Sequence, residues 1–117
     1  QRLLIFSDDI ELTNEVRSSM AKFHVSTSVA LDGRQAVELA ALVRPEFVLV
    51  DLGLPRGEAL RVVARLRLDA KTAAIPVALL WNRRIEPSDL RSYAARVGRD
   101  TLLAPDDLRR ALVAALS

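Results

Sequence analysis

Three aspartates follow short apolar runs, which is where an α/β protein most often places its chemistry. Asp51 closes the run F-V-L-V-D, and Asp8 and Asp9 follow the run R-L-L-I-F after one serine. The carboxyl ends of parallel strands border the ligand crevice of an open sheet, so we expect these carboxylates to meet at one edge. A carboxylate in that place can act as a nucleophile or bind a hard cation through oxygen. Helix capping by Asp8 or Asp9, with a solvated loop end, is the structural alternative.

The elements that must position these residues alternate between strand and helix along the whole chain. Strands are predicted for the β-branched and apolar runs at residues 2–6, 24–29, 47–51, 76–81 and 101–103. A helix follows each strand, and inward-facing stripes are predicted at Ile10, Val16, Met20 and Phe23, then at Ala36, Val37, Ala40 and Val43, then at Leu60, Val63, Ala64 and Leu66. Short connections favour a parallel sheet with right-handed crossovers. The sequence therefore predicts an α/β fold, a flavodoxin-like (βα)5 doubly wound parallel sheet with strand order 2-1-3-4-5.

Composition excludes several classes of protein. With 117 residues, 50% of them hydrophobic, the chain suffices for one domain with its own core, and we interpret residues 1–117 as a domain excised from a longer protein. The chain lacks cysteine, a signal-peptide pattern and any apolar run of the roughly 20 residues that span a bilayer, so we predict no membrane association and a cytoplasmic location. The net charge of +2 is not gathered into a basic run with interleaved aromatics, which argues against direct nucleic-acid binding. The first loop lacks G-x-G-x-x-G, which argues against a dinucleotide cofactor.

The pair Asp8-Asp9, Asp51 within V-D-L-G-L-P, and the I-P-V lead-in to the fourth strand together resemble the receiver domains of bacterial two-component response regulators. The resemblance extends over essentially the whole chain. It implies that Asp51 accepts a phosphoryl group from a histidine kinase or a phosphotransfer protein. It also implies a Mg²⁺ cofactor that is bound directly by Asp9, Asp51 and the backbone carbonyl of Gly53, with Asp8 acting through water. An output domain or protein partner would then bind the face of the fourth helix, fifth strand and fifth helix, which also serves for homodimers.

The chain departs from the receiver pattern at the positions that, in the family, contact the phosphoryl group or respond to it. Trp81 stands where the family has a hydroxyl residue at the end of the fourth strand, and Ala104 stands where it has a lysine. Thr101 replaces the aromatic switch residue. Arg83 and Arg84 are candidates to supply the missing positive charge, since guanidinium groups suit phosphate geometry, although solvent-facing loop arginines are the alternative. We therefore expect impaired switching.

Three functions remain open from the sequence. The first is a receiver whose phosphorylation at Asp51 controls an output module. The second is a phosphorylation-independent pseudo-receiver that acts as a protein-interaction module, which the residues Trp81, Thr101 and Ala104 favour. The third is a Mg²⁺-dependent phosphate-ester hydrolase, which is disfavoured because Gly53 occupies the place of its second acid–base aspartate. We predict a signalling protein and not an enzyme.

Overall fold

In the computed structural model, the described part of the chain is organised around a single parallel sheet. Its strands are β1 (Arg2–Phe6), β2 (Ser26–Ala30), β3 (Phe47–Asp51), β4 (Val77–Leu80) and β5 (Leu102–Leu103). The structure describes residues 1–21 and 23–80 together with the backbone of residues 102–103. The sheet order is β2-β1-β3-β4-β5, with every neighbouring pair parallel, which confirms the predicted topology. The predicted edge position of β2 is confirmed as well.

Helices cover both faces of this sheet. The described helices are α1 (Ile10–Ala21), α2 (Gly33–Val43) and α3 (Glu58–Leu68), and a short 3₁₀ turn at Pro55–Gly57 precedes α3. Successive strand residues point to opposite faces, so Leu4 and Phe6 pack with α2 and α3 while Leu3 and Ile5 pack with α1. Over the residues that the structure describes, every helix is too short or too polar to cross a lipid bilayer. The predicted fourth and fifth helices, and with them the expected partner-binding face, lie outside the described residues.

Strand β3 is buried along its whole length, and this burial explains its sequence. All five of its residues are buried, because helices cover both faces and β1 and β4 flank both edges. A strand in that position needs apolar side chains throughout, as Phe47, Val48, Leu49 and Val50 provide. Asp51 is the exception at its carboxyl end, and a charge that is buried there must be compensated by its surroundings.

Two of the predicted helix faces were partly wrong. Ile10 is 73% exposed and Phe23 is 42% exposed, because Ile10 is the first residue of α1 and Phe23 lies beyond its end. The inward positions of α1 are instead Thr13, Val16 and Met20.

The same correction applies to α3, whose buried residues are Ala59, Val62 and Leu66. Ala64 is exposed because two residues of helix rotate its side chain by about 200° from that of Val62. Leu60 and Val63 are half-buried at the borders of the inward face.

Strand β2 begins two residues later than predicted. His24 adopts a φ of 57°, in the left-handed region, and an L-residue in that conformation cannot continue an extended strand. The chain turns there, and the pairing of β2 with β1 starts at Ser26 opposite Arg2.

Candidate functional site

The carboxyl ends of β1 and β3 lie side by side and create the candidate site. The parallel register pairs Leu3 with Phe47 and continues to Phe6 and Val50. The next residues along the two strands are Ser7 and Asp51, so the register places this serine beside the aspartate. Both residues are buried, with 0% and 1% of their surfaces exposed. The predicted meeting of the two strand ends is confirmed, and it brings Ser7 into the site.

Among the described residues, Ser7 and Gly53 donate hydrogen bonds to the carboxylate of Asp51. The hydroxyl of Ser7 donates to Oδ2 over 2.7 Å, and the backbone N–H of Gly53 donates to Oδ1 over 2.7 Å. Hydrogen bonds to an ionised acceptor are shorter and stronger than neutral ones, and both distances are in the short range. These donors contribute to the polar surroundings of a carboxylate that water scarcely reaches. They also fix the plane of the carboxylate.

The adjacent residues Asp8 and Asp9 have different surroundings. The Oδ1 atom of Asp9 accepts a hydrogen bond from the backbone N–H of Leu12 over 3.2 Å, so Asp9 caps the start of α1. Its own backbone N–H donates to the hydroxyl oxygen of Ser7 over 3.0 Å. Asp8 is exposed at the end of β1. The capping role that the sequence left open between the two residues therefore belongs to Asp9.

A cleft of about 350 Å³ opens at this edge of the sheet on the side of α2 and α3. Asp8 lines one wall, and the loop after β3 contributes Arg56 and Glu58. Arg56 has a φ of 60° and Gly57 a φ of 68°, so the loop makes two successive left-handed residues before α3 begins. The full lining is Phe6, Asp8, Leu31, Asp32, Leu54, Pro55, Arg56 and Glu58.

The donor chemistry of the site suits Mg²⁺. Mg²⁺ prefers oxygen ligands, keeps several waters and needs only one or two carboxylates from the protein. Asp51, its neighbours Asp8 and Asp9, and the carbonyl of Gly53 offer such a set at one strand edge. Within residues 1–21 and 23–80, no three acidic or histidine side chains are gathered into a ready metal site. The donors fit an ion that is held by few protein ligands.

The remaining predicted site residues are Trp81, Arg83, Arg84, Thr101 and Ala104, and all of them lie outside the described residues. Ser7 is the functional-site residue that the sequence analysis missed. Its signal was the register of two neighbouring parallel strands, which would have paired the residue after Phe6 with the residue after Val50.

Known proteins similar to this chain include a transcriptional regulator and a response regulator. The chain is 34% identical over 79 residues to the DNA-binding dual master transcriptional regulator RpaA of Synechocystis, a match that covers 68% of this chain and 33% of that protein. It is 36% identical over 66 residues to the response regulator MprA of Mycolicibacterium vanbaalenii, covering 56% of this chain and 29% of MprA. No family model matches the chain. The chain belongs to the receiver domains of response regulators.

Solved structures agree with this assignment at the level of the fold. The receiver domain of a Pseudomonas aeruginosa sensor histidine kinase, which holds a magnesium ion in its active-site cleft, superposes with a TM-score of 0.80 at 21% identity. That match covers 99% of this receiver domain and 93% of the Pseudomonas chain. The chemotaxis protein CheY4 of Vibrio cholerae gives a TM-score of 0.77 at 20% identity and covers 98% and 94% of the two chains.

The receiver domain spans only about a third of the length of RpaA and of MprA. One relative of a different kind, a protein-glutamate methylesterase/protein-glutamine glutaminase of Myxococcus xanthus, is 37% identical over 59 residues, which is 17% of that protein. The matched segment is therefore the smaller part of each of these longer proteins.

Proposed function

We propose that this receiver domain accepts a phosphoryl group on Asp51. The observation that carries the proposal is the placement of Asp51, a carboxylate at the end of a buried strand, held by the hydroxyl of Ser7 and the N–H of Gly53. An oxygen that is fixed by such donors is presented in one orientation, and catalysis of phosphoryl transfer depends mostly on positioning and on charge neutralisation.

In the proposed reaction, one carboxylate oxygen of Asp51 forms the new bond to phosphorus. The bond from phosphorus to the donor's nitrogen or oxygen breaks, and its electron pair leaves with the donor. The donor is a histidine kinase, a phosphotransfer protein or a small acyl phosphate. The N–H of Gly53 keeps its hydrogen bond to Oδ1, so the carboxylate does not rotate during the transfer.

Mg²⁺ is the proposed cofactor, and when bound it supplies charge neutralisation for the phosphoryl oxygens. The ligands we propose are Asp51, the carbonyl of Gly53 and the acidic pair. From the family resemblance, Asp9 binds directly and Asp8 acts through water. The capping bond of the Asp9 Oδ1 atom to Leu12 favours the exchange of these roles, with Asp8 as the direct ligand.

We propose further that phosphorylation is weakly coupled to any output. Three residues differ from the usual switch residues of the family. Trp81 stands in place of the hydroxyl residue, Thr101 in place of the aromatic residue and Ala104 in place of the lysine. Coupling between two sites is typically only about 1–3 kcal/mol, and a hydrogen bond to a charged group contributes a similar amount, about 1.5–3 kcal/mol. The loss of the hydroxyl and the ammonium group is therefore enough to remove the coupling. Arg83 and Arg84 are the proposed substitutes for the missing charge.

The same proposal extends to the full-length protein and its partners. The receiver domain would belong to a longer cytoplasmic signalling protein without enzymatic activity of its own. Its partners would be a phosphodonor protein and an output domain or second copy that binds the face of the fourth helix, fifth strand and fifth helix.

Intact-mass spectrometry after incubation with Mg²⁺ and acetyl phosphate tests the proposed acceptor. We expect the parent protein to gain the mass of one phosphoryl group and Asp51→Asn to gain none. Circular dichroism of Asp51→Asn serves as the control for folding. An equal gain in a folded Asp51→Asn protein would refute the assignment, and no gain in either protein would favour the pseudo-receiver.

A further inference from the structure

We propose that the hydroxyl of Ser7 shortens the lifetime of the phosphorylated form of Asp51. The inference rests on the proposed function, because it concerns the loss of the phosphoryl group after its transfer to Asp51. It assigns a role in that step to a residue that the receiver resemblance did not single out.

The surroundings of Ser7 direct its hydroxyl at the carboxylate of Asp51. The serine has no exposed surface, its hydroxyl donates to Oδ2 of Asp51 over 2.7 Å, and its oxygen accepts the N–H of Asp9 over 3.0 Å. A hydroxyl has a single proton, and the bond from Asp9 uses its oxygen as an acceptor, so the proton is left for Asp51. Because solvent does not reach this serine, water does not compete for the donor.

Hydrolysis of an aspartyl phosphate restores the negative charge of the carboxyl group. Water attacks phosphorus, the bond from phosphorus to the Asp51 oxygen breaks, and the electron pair of that bond stays on Asp51. The products are the free carboxylate and inorganic phosphate, and the protons of the water pass to the phosphate and the solvent. In the loose transition state of phosphoryl transfer, much of the charge on the leaving oxygen has already formed.

A hydrogen-bond donor beside the carboxyl group therefore favours hydrolysis. A hydrogen bond to an ionised acceptor is roughly twice as strong as a bond between neutral groups. The hydroxyl of Ser7 consequently stabilises the departing carboxylate more than it stabilises the acyl phosphate. The effect has the same direction whichever of the two oxygens carries the phosphoryl group, because the charge is shared between them.

Other contacts of Asp51 are compatible with this role. The N–H of Gly53 donates to Oδ1, and this bond is present whatever residue occupies position 7. Every other group that contacts the carboxylate is likewise common to the parent protein and to a variant that differs only at Ser7. A comparison of such proteins therefore isolates the contribution of the serine hydroxyl.

Substitutions of Ser7 that differ in their donor strength test the inference. Ser7→Ala removes the donor, so we expect its phosphorylated form to persist about three- to tenfold longer than that of the parent protein. Ser7→Thr keeps a hydroxyl and should restore the short lifetime. Ser7→Cys offers a thiol, which is a weak donor, and should give an intermediate lifetime.

Thr72→Val is the matched control for the loss of a buried hydroxyl. Thr72 is buried, and its hydroxyl donates to the carbonyl of Leu66 over 2.7 Å on the connection from α3 to β4, away from Asp51. This variant should lose stability, but its phosphorylated form should decay at the rate of the parent protein.

The decay is measured by loading each protein with acetyl phosphate and Mg²⁺, removing the donor by gel filtration and recording intact masses over time. A first-order decay constant does not depend on how much protein was loaded. Slower decay in Ser7→Ala than in both Ser7→Thr and Thr72→Val supports the inference. Where Ser7→Ala does not fold or does not become phosphorylated, slower decay in Ser7→Cys than in the parent protein supports it instead.

Equal or faster decay in the variant that lacks the hydroxyl would overturn the role of Ser7 and leave Asp51 as the proposed acceptor. The absence of phosphorylation in every protein, including the parent, would reject the proposed function and the inference with it. The two failures are therefore distinguished by whether the parent protein gains mass.

Discussion

At the scale of single residues, the three residues that follow β1, Ser7 to Asp9, have different roles. Ser7 contacts Asp51, Asp9 caps α1, and Asp8 is exposed at the wall of the cleft. The sequence alone does not show which carboxylate of an acidic pair caps a helix and which one binds a ligand. The hydrogen bond from Leu12 to Asp9 distinguishes them here.

Single substitutions at Asp8 and Asp9 should therefore affect different properties of the domain. We expect Asp9→Ala to lower the free energy of unfolding by about 0.5–2 kcal/mol, since it removes a helix cap. Asp8→Ala leaves the helix cap in place, so it should lower the free energy of unfolding less than Asp9→Ala does, and it should weaken Mg²⁺ binding. Chemical denaturation measures the first effect and calorimetric titration with MgCl₂ the second.

Asp9→Asn is the control for this pair, because asparagine caps helices about as well as aspartate and should restore most of the stability. A larger loss of stability in Asp8→Ala than in Asp9→Ala would contradict the assignment of the cap.

At the scale of elements, the packing of α2 against α3 depends on the small size of Gly33. The backbone N–H of this glycine, the first residue of α2, donates to Oε1 of Glu58 over 3.1 Å. A Cβ atom at position 33 would collide with that carboxylate oxygen and come within 3.1 Å of Val62. The second carboxylate oxygen of Glu58 accepts a hydrogen bond from Arg61 over 3.0 Å, so a shift of the Glu58 side chain away from position 33 would also disturb this ion pair.

Gly33→Ala should consequently destabilise the domain by about 1 kcal/mol, the contribution of a typical hydrogen bond that must break. In a Glu58→Ala background the collision is absent, and the same substitution should cost much less. A double-mutant cycle by urea denaturation should then give a coupling energy of about 0.5 kcal/mol or more. As the control, Glu38→Ala on the exposed side of α2 and Glu58→Ala should change the free energy of unfolding additively. If Gly33→Ala and Glu58→Ala were also strictly additive, that result would contradict the proposed contact.

Strands were easier to predict from the sequence than helix faces, for a physical reason. The run from Phe47 to Val50 is apolar throughout because β3 is enclosed on all sides, and a short run of this kind between turn residues is typical of a buried strand. Helix faces are decided by rotation of about 100° per residue, so an apolar residue at a helix end or one step off the stripe is misplaced easily. Ile10 and Ala64 were misplaced in this way.

At the scale of the whole molecule, the strand order followed from the sequence because alternation and short connections leave few parallel topologies. The partners within the site did not follow, since the register of two parallel strands depends on packing that a single sequence does not state. Ser7 was therefore missed although Asp51 was identified. The same limit applies to Asp8 and Asp9, whose place in the loop between β1 and α1 was predicted but whose separate roles were not.

The receiver fold also determines how a signal could leave the domain. The Asp51 carboxylate is joined through Ser7 to the backbone of Asp9 and so to the start of α1. From the family resemblance, we expect the usual route to run through a hydroxyl, an aromatic and a lysine position, which we assign to Trp81, Thr101 and Ala104 in this sequence. Our central claim is that chemistry at Asp51 persists although that route is impaired.

Chemical mapping of the phosphorylated residue tests that claim most directly. Borohydride reduces an aspartyl phosphate to homoserine, and peptide mass spectrometry then locates the converted residue. After treatment of the parent protein with Mg²⁺ and acetyl phosphate, we predict homoserine in place of Asp51 and unmodified aspartate at Asp8 and Asp9. Homoserine at another aspartate, or at none, would contradict the claim.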